Sequence, residues 1–285
     1  RSTVRRSVLP ACVKCRTPAE MKTAILLVAY GTSSPQGRGS LRQFDAWVRE
    51  RFPGICVRWA LSSELLRTRL TRARQKNDSV LKALRRLCLE NFTHVAVQPL
   101  QIIPGSEHTD VRADADEAGR LDGLHVSIGT PLLACDEDIR AAAQAVLAHL
   151  PEERRADEDV VLMGHGSRKQ AVTAYAALAG AVQALDARVH VGTMSGALEL
   201  EALLPRLTSR RVWLMPLLSV VGRHTLEDMA GDAPDSWRSR IEAAGHTCAP
   251  VVRGTAEYRA FADIWLRHLE DAVAALPTVK KDEEK

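Results

Sequence analysis

No stretch of this 285-residue chain approaches the roughly 18 consecutive apolar residues that a membrane span needs. The longest apolar run, Val212 to Val221, is broken by Pro216 and reads as a buried strand. The common catalytic signatures are also missing. There is no G-x-x-x-x-G-K-[ST] loop to cradle phosphates, and no G-x-G-x-x-G after any strand, which argues against a nucleotide or dinucleotide site. H-E-x-x-H does not occur, and Gly192-Thr193-Met194-Ser195-Gly196 is not the G-x-S-x-G nucleophile elbow. Gly164-His165-Gly166 lacks the arginine that precedes histidine in phosphohistidine phosphatases.

Charge of one sign is missing as well. The formal net charge is +4, but residues 1–20 hold five Lys/Arg and one acid. The remaining residues carry equal numbers of bases and acids, so no nucleic-acid partner is expected. Residues 1–20 have no apolar core of a secretory signal and are read as a disordered leader or extension; the fold is expected to start at Met21. The six cysteines (12, 15, 56, 88, 135 and 248) form no disulfide framework. Cys12 and Cys15 read as incidental thiols. The other four sit in apolar contexts and are expected to be buried packing residues in a reducing, cytoplasmic compartment.

What is present is a repeat. Val28-Ala29-Tyr30-Gly31-Thr32-Ser33 and Leu162-Met163-Gly164-His165-Gly166-Ser167 each end an apolar run in Gly and hydroxyls. The pattern continues with Val57 to Ser63 against Val189 to Ser195, then Val95 to Gly105 against Val212 to Gly222. Each half reaches a histidine just after that glycine, His108 and His224, and closes on a fourth run, Val126 to Leu133 and Thr247 to Val252. A repeat of this length marks a duplicated domain, not a solenoid. Helical periodicity appears at Leu41–Phe52, Val80–Asn91, Asp136–Leu150 (Asp136 as N-cap), Thr173–Leu185 and Tyr258–Leu276. Strand–helix alternation with near-continuous apolar strands predicts an α/β chain with parallel sheets covered on both faces. The charged segment Pro151–Asp159 is the expected boundary, giving halves at 21–150 and 151–277 and a charged tail at 278–285.

In open α/β sheets, ligands bind beyond the carboxyl ends of the strands. His165 and His224 stand at two such ends of one predicted sheet, so their imidazoles can converge. Two imidazoles suit a borderline divalent metal, and a neutral imidazole can also accept a proton.

The strand ending in GHGS, the GT-x-x-G phrase, LMPLLSVVGRHTLEDMAGDAPDSW, AYGTSSP and QPLQIIPGSEH together resemble one family over roughly Met21 to Leu276. It is the class II, ATP-independent tetrapyrrole chelatases, of the anaerobic sirohydrochlorin cobaltochelatase (CbiK) type. The resemblance implies two flavodoxin-like or periplasmic-binding-like half-domains with the tetrapyrrole between them. It implies insertion of Co2+ into sirohydrochlorin for cobalamin synthesis, with no nucleotide. Fe2+ insertion to make sirohaem, or a carrier without turnover, are the alternatives. In the family two histidines and a glutamate hold the metal, and the first histidine takes a pyrrole proton. The histidines match His165 and His224. The glutamate falls at Ser195, where this chain departs from the pattern, although Glu199 and Glu201 follow closely. The carboxylates of sirohydrochlorin call for cations, for which Arg168, Lys169 and Arg223 are candidates, with Arg38 and Arg112 beyond them. Tyr30 and His108 are expected at the substrate from the opposite half. A homo-oligomer is compatible with the sequence, and no membrane partner is expected.

Overall fold

A computed structural model describes residues 21–75, 77–166 and 172–277. The leader, the charged tail, Arg168 and Lys169 lie outside the described residues.

The first half alternates β1 (Thr23–Ala29), α1 (Pro35–Arg51), β2 (Cys56–Leu61), α2 (Glu64–Arg72), α3 (Val80–Leu89), β3 (His94–Pro99), α4 (Ser106–Ala118), β4 (His125–Ile128) and α5 (Asp136–Ala148). The second runs β5 (Asp159–Gly164), α6 (Val172–Leu185), β6 (Val189–Thr193), the short α7 (Leu200–Leu203), β7 (Arg211–Leu217), a π-helical turn (His224–Met229), α8 (Trp237–Ala243), β8 (Thr247–Pro250) and α9 (Arg259–Ala274). Each half forms a four-stranded parallel sheet, in the orders β2-β1-β3-β4 and β6-β5-β7-β8. The two orders are the same once the halves are superposed, as the repeat predicts.

Local chemistry sets the element ends. Helix α1 starts earlier than periodicity alone indicates, because Ser34 caps it by accepting from Gly37 N and Pro35 occupies the first turn. The N-cap of α5 is Cys135 rather than Asp136, which lies one position inside the helix. Cys135 is exposed and its thiol faces Asp138 Oδ2 at 3.3 Å; Cys56 and Cys88 are half-buried. Of the four core thiols expected to be buried, only Cys248 is. The fourth run of each half pairs for only four residues before turning away as loop.

Alternate residues of each strand face opposite layers. Ile25 and Leu27 point into one apolar core that also receives Val160 and Leu162 from the second sheet. Ala24, Leu26 and Val28 face a separate core under α3 and α4, and Val161, Met163, Val212 and Leu214 face another under α8. The shared core exists because the halves exchange their last helices. Helix α5 packs on α6, and α9 returns to β3 and β4. Trp265 of α9 is fully buried edge-on to Phe44 of α1, with ring centroids 6.1 Å apart. Asp138 on α5 is buried and accepts from Arg267 at 2.7 Å and from His268 at 2.8 Å, which ties α5 to α9. Ser127 Oγ donates to Ala272 O at 2.6 Å. Thr32 Oγ1 donates to Val221 O at 2.8 Å, which joins the strand-end loops of the two halves above the sheets.

Candidate metal and tetrapyrrole site

A cavity of about 610 Å³ opens at the carboxyl ends of the strands and is lined by both halves. The first half contributes Tyr30, Leu65, Arg69 and Glu107, and the second His165, Ser195, Arg223 and His224. Among the described residues, no helix is long and apolar enough to cross a membrane.

His165 follows the last residue of β5. The chain can turn there because Gly166 sits at φ +80°, and a Cβ on it would come within 2.0 Å of Ser195 O. Gly31 takes the same left-handed turn after Tyr30, at φ +103°. The two halves therefore present Tyr30 and His165 from one backbone shape. Below His165, Tyr175 is fully buried, and its phenol bonds with the backbone of Gly166 and His165. Burial pushes that phenol up to about 12, so it stays protonated.

His224 opens the π-helical turn, a distortion frequent at functional sites. Its Nδ1 lies 2.6 Å from Asp228 Oδ2, four residues on. A carboxylate only accepts, so Nδ1 carries a proton and Nε2 is the nitrogen left to face a metal. His165 Nδ1 faces Gly166 O at 3.3 Å, which favours the same tautomer. The two rings stand 5.1 Å apart between centroids, at 75° to one another.

Glu107 enters from the other half, in the first turn of α4. Burial pushes its carboxyl above the usual carboxylate range, and the imidazoles of His165 and His224 pull it the other way. Glu107 thus shares the cavity with both histidines, in the place where the repeat suggested its neighbour His108. His108 is buried, faces away from the cavity and has its imidazole held below its ordinary value by burial. Counting would have found Glu107: it stands two residues past Gly105, as His224 stands two past Gly222, whereas His108 stands three past.

Ser195 lines the cavity, but its hydroxyl is spent on His165 O at 3.3 Å. Glu199 and Glu201 are exposed and do not line the cavity, and Glu201 pairs with Arg240. Arg223 lines the cavity with its guanidinium on Glu227 at 2.8 Å. Arg38 and Arg112 do not line it, and Arg38 donates to Ser33 O. Among the described residues no three His, Cys, Asp or Glu side chains are already gathered as a closed metal cage. The arrangement is two imidazoles side by side with a carboxylate across the cavity. It can receive a divalent ion loosely and take up protons.

The family model for "Cobalt chelatase (CbiK)" matches residues 23–274. The chain is 55% identical over 259 residues to the sirohydrochlorin cobaltochelatase CbiKC of Nitratidesulfovibrio vulgaris, covering 90% of this chain and 92% of that protein. It is 31% identical over 261 residues to the sirohydrochlorin cobaltochelatase of Salmonella typhimurium, covering 89% and 97%. Among solved structures, the sirohydrochlorin chelatase SirB of Bacillus subtilis in complex with cobalt has a TM-score of 0.62 at 16% identity, covering 89% of this chain and 96% of that one. At that identity the likeness speaks for the fold, two similar α/β halves around a cleft. The repeat, the paired imidazoles at the strand ends and the match over nearly all the described residues have one reading: this chain belongs to the cobalt chelatase (CbiK) family.

Proposed function

We propose that this chain inserts Co(II) into sirohydrochlorin in the cytoplasm, without a nucleotide. The observation that carries the reading is the pair of imidazoles, each engaged through Nδ1, facing a half-buried carboxylate in a cavity between two sheets. Free thiols at Cys56, Cys88, Cys135 and Cys248 suit a reducing compartment.

Metallation exchanges two pyrrole protons for one dication. His165 and His224 bind the incoming Co(II) through Nε2, and Asp228 fixes the ring of His224. As the metal passes to the ring nitrogens, His165 is released as a ligand and accepts the first proton. Glu107 accepts the second, its affinity for protons raised by burial. Glu107 also supplies the negative charge that Ser195 does not. A neutral site would offer a dication little attraction in a partly desolvated cleft, where charge pairing is stronger than in water. Loose binding serves the reaction, because the metal has to leave for the macrocycle. Tyr30, 44% exposed at the cavity wall, packs against a macrocycle face. Steady-state metallation by the purified chain, with and without ATP and Mg2+, tests the reading: turnover is expected in both, and strict dependence on ATP would refute it.

A further inference from the structure

We infer that helix α2 is the substrate-recognition rim of the cavity, with Leu65 as an apolar contact and Arg69 and Arg72 as clamps for carboxylates at the macrocycle edge. This rests on the reading of the site as one that takes sirohydrochlorin.

The start of α2 is fixed to the sheet. Ser63 Oγ accepts from Leu66 N at 3.3 Å, and Arg67 donates to Leu61 O and Ser62 O at 2.5 and 2.8 Å. Leu66 and Leu70 bury one side of the helix against Ala29 and Leu61. Leu65, Leu66 and Arg69 of this helix line the cavity, and Arg72 follows one turn beyond them. Leu65 lines the cavity and is 61% exposed, a large apolar side chain left in water.

Arg69 lines the cavity one turn later and is exposed. Among the described residues the cavity wall carries two guanidinium groups. Arg223 is already matched by Glu227, whereas among the described residues no carboxylate lies within ion-pair distance of Arg69. Arg72 is also exposed and unpaired among the described residues, and the spacing 65, 69, 72 places all three side chains on one helical face. An apolar side chain followed by two unmatched cations complements a flat apolar ring edged with carboxylates. Arginine is suited to this because its planar fork binds a carboxylate with two parallel hydrogen bonds.

The test is titration of the full chain with metal-free sirohydrochlorin, followed by absorbance, together with steady-state KM. The proteins are wild type, the double variant R69Q/R72Q and the double variant R69K/R72K. All the changed side chains are exposed, so thermal melting should be unaltered. At low salt, R69Q/R72Q should raise Kd and KM for sirohydrochlorin about tenfold, with a smaller change in kcat. R69K/R72K should recover part of the loss, since the charge is kept and the fork is not. High salt should shrink the gap by screening. The KM for Co(II) should not move, because the imidazoles stand on the other half, at the end of β5 and in the π-helical turn. If R69Q/R72Q binds sirohydrochlorin as wild type does at low salt, the rim is refuted while the site stands. If wild type neither binds nor metallates sirohydrochlorin, the reading of the site fails and the rim fails with it.

Discussion

Glu107 and His224 occupy the same position of the repeat. Strand pairing sets Val28 beside Pro99 in the first sheet and Met163 beside Pro216 in the second, and both residues lie eight positions past their proline. Tyr30 and His165 are equivalent in the same way, as are Ser63 and Ser195. Duplication therefore supplied two frames of equal shape. Two of these positions differ in chemistry between the halves, so the imidazoles stand on one wall and a carboxylate on the other. At the third position both halves carry serine.

Replacing Glu107 by Gln keeps the shape and removes the charge. The apparent KM for Co(II) should rise about tenfold, roughly 1.4 kcal/mol, and kcat should fall, because a proton acceptor is lost with the charge. Equal Co(II) kinetics in E107Q would show that the carboxylate does not serve the metal.

Ser195→Glu places a second acid beside the imidazoles. We expect free-protein Co(II) affinity to rise about tenfold or more by isothermal titration, without a matching gain in turnover, since a tighter site holds back the ion it must release. Unchanged affinity would mean that position 195 does not face the metal.

Asp228→Asn leaves a partner at His224 Nδ1 but not an anionic one. Loss of the carboxylate behind a metal-binding imidazole costs about tenfold in metal affinity. The readout is the KM for Co(II) set against that for sirohydrochlorin; only the former should move.

Acid stability should depend on Asp159. It is buried at the start of β5 and accepts from Thr208 N and Ser209 N, each at 2.8 Å, and from His190 at 3.2 Å. Burial alone would raise its pKa, but these hydrogen bonds outweigh that and lower it to about 2. A carboxyl depressed below its unfolded value contributes its full stability above that value, and the contribution is lost as pH falls through the folded one. Wild type should therefore lose melting temperature between about pH 4 and pH 2. Asp159→Asn should be less stable at pH 7 and show a shallower loss over that window. Parallel melting curves for the two proteins would contradict this.

The repeat, the eight strands and the convergence of His165 with His224 were legible because buried parallel strands leave apolar runs whose ends can be aligned by eye. Glu107 was not, because a histidine next to it drew the comparison one residue out of register. Helix α2 was missed because it has only three leucines among its nine residues, beside two threonines and three arginines, too short an apolar stripe to show a period. The exchange of α5 and α9 could not be read, since periodicity reveals that a helix has a buried face but not which sheet receives it. Cys135 looked like core because Leu132, Leu133 and Ala134 precede it, but Asp136, Glu137 and Asp138 follow, and the turn into α5 leaves its side chain exposed.

The most direct test of the account is Co(II) insertion into sirohydrochlorin by purified wild type and His165→Ala, without ATP. Wild type should turn over steadily and the variant should lose nearly all of that turnover, because one ring is both ligand and base. Near-normal turnover in His165→Ala, or none in wild type, would contradict it.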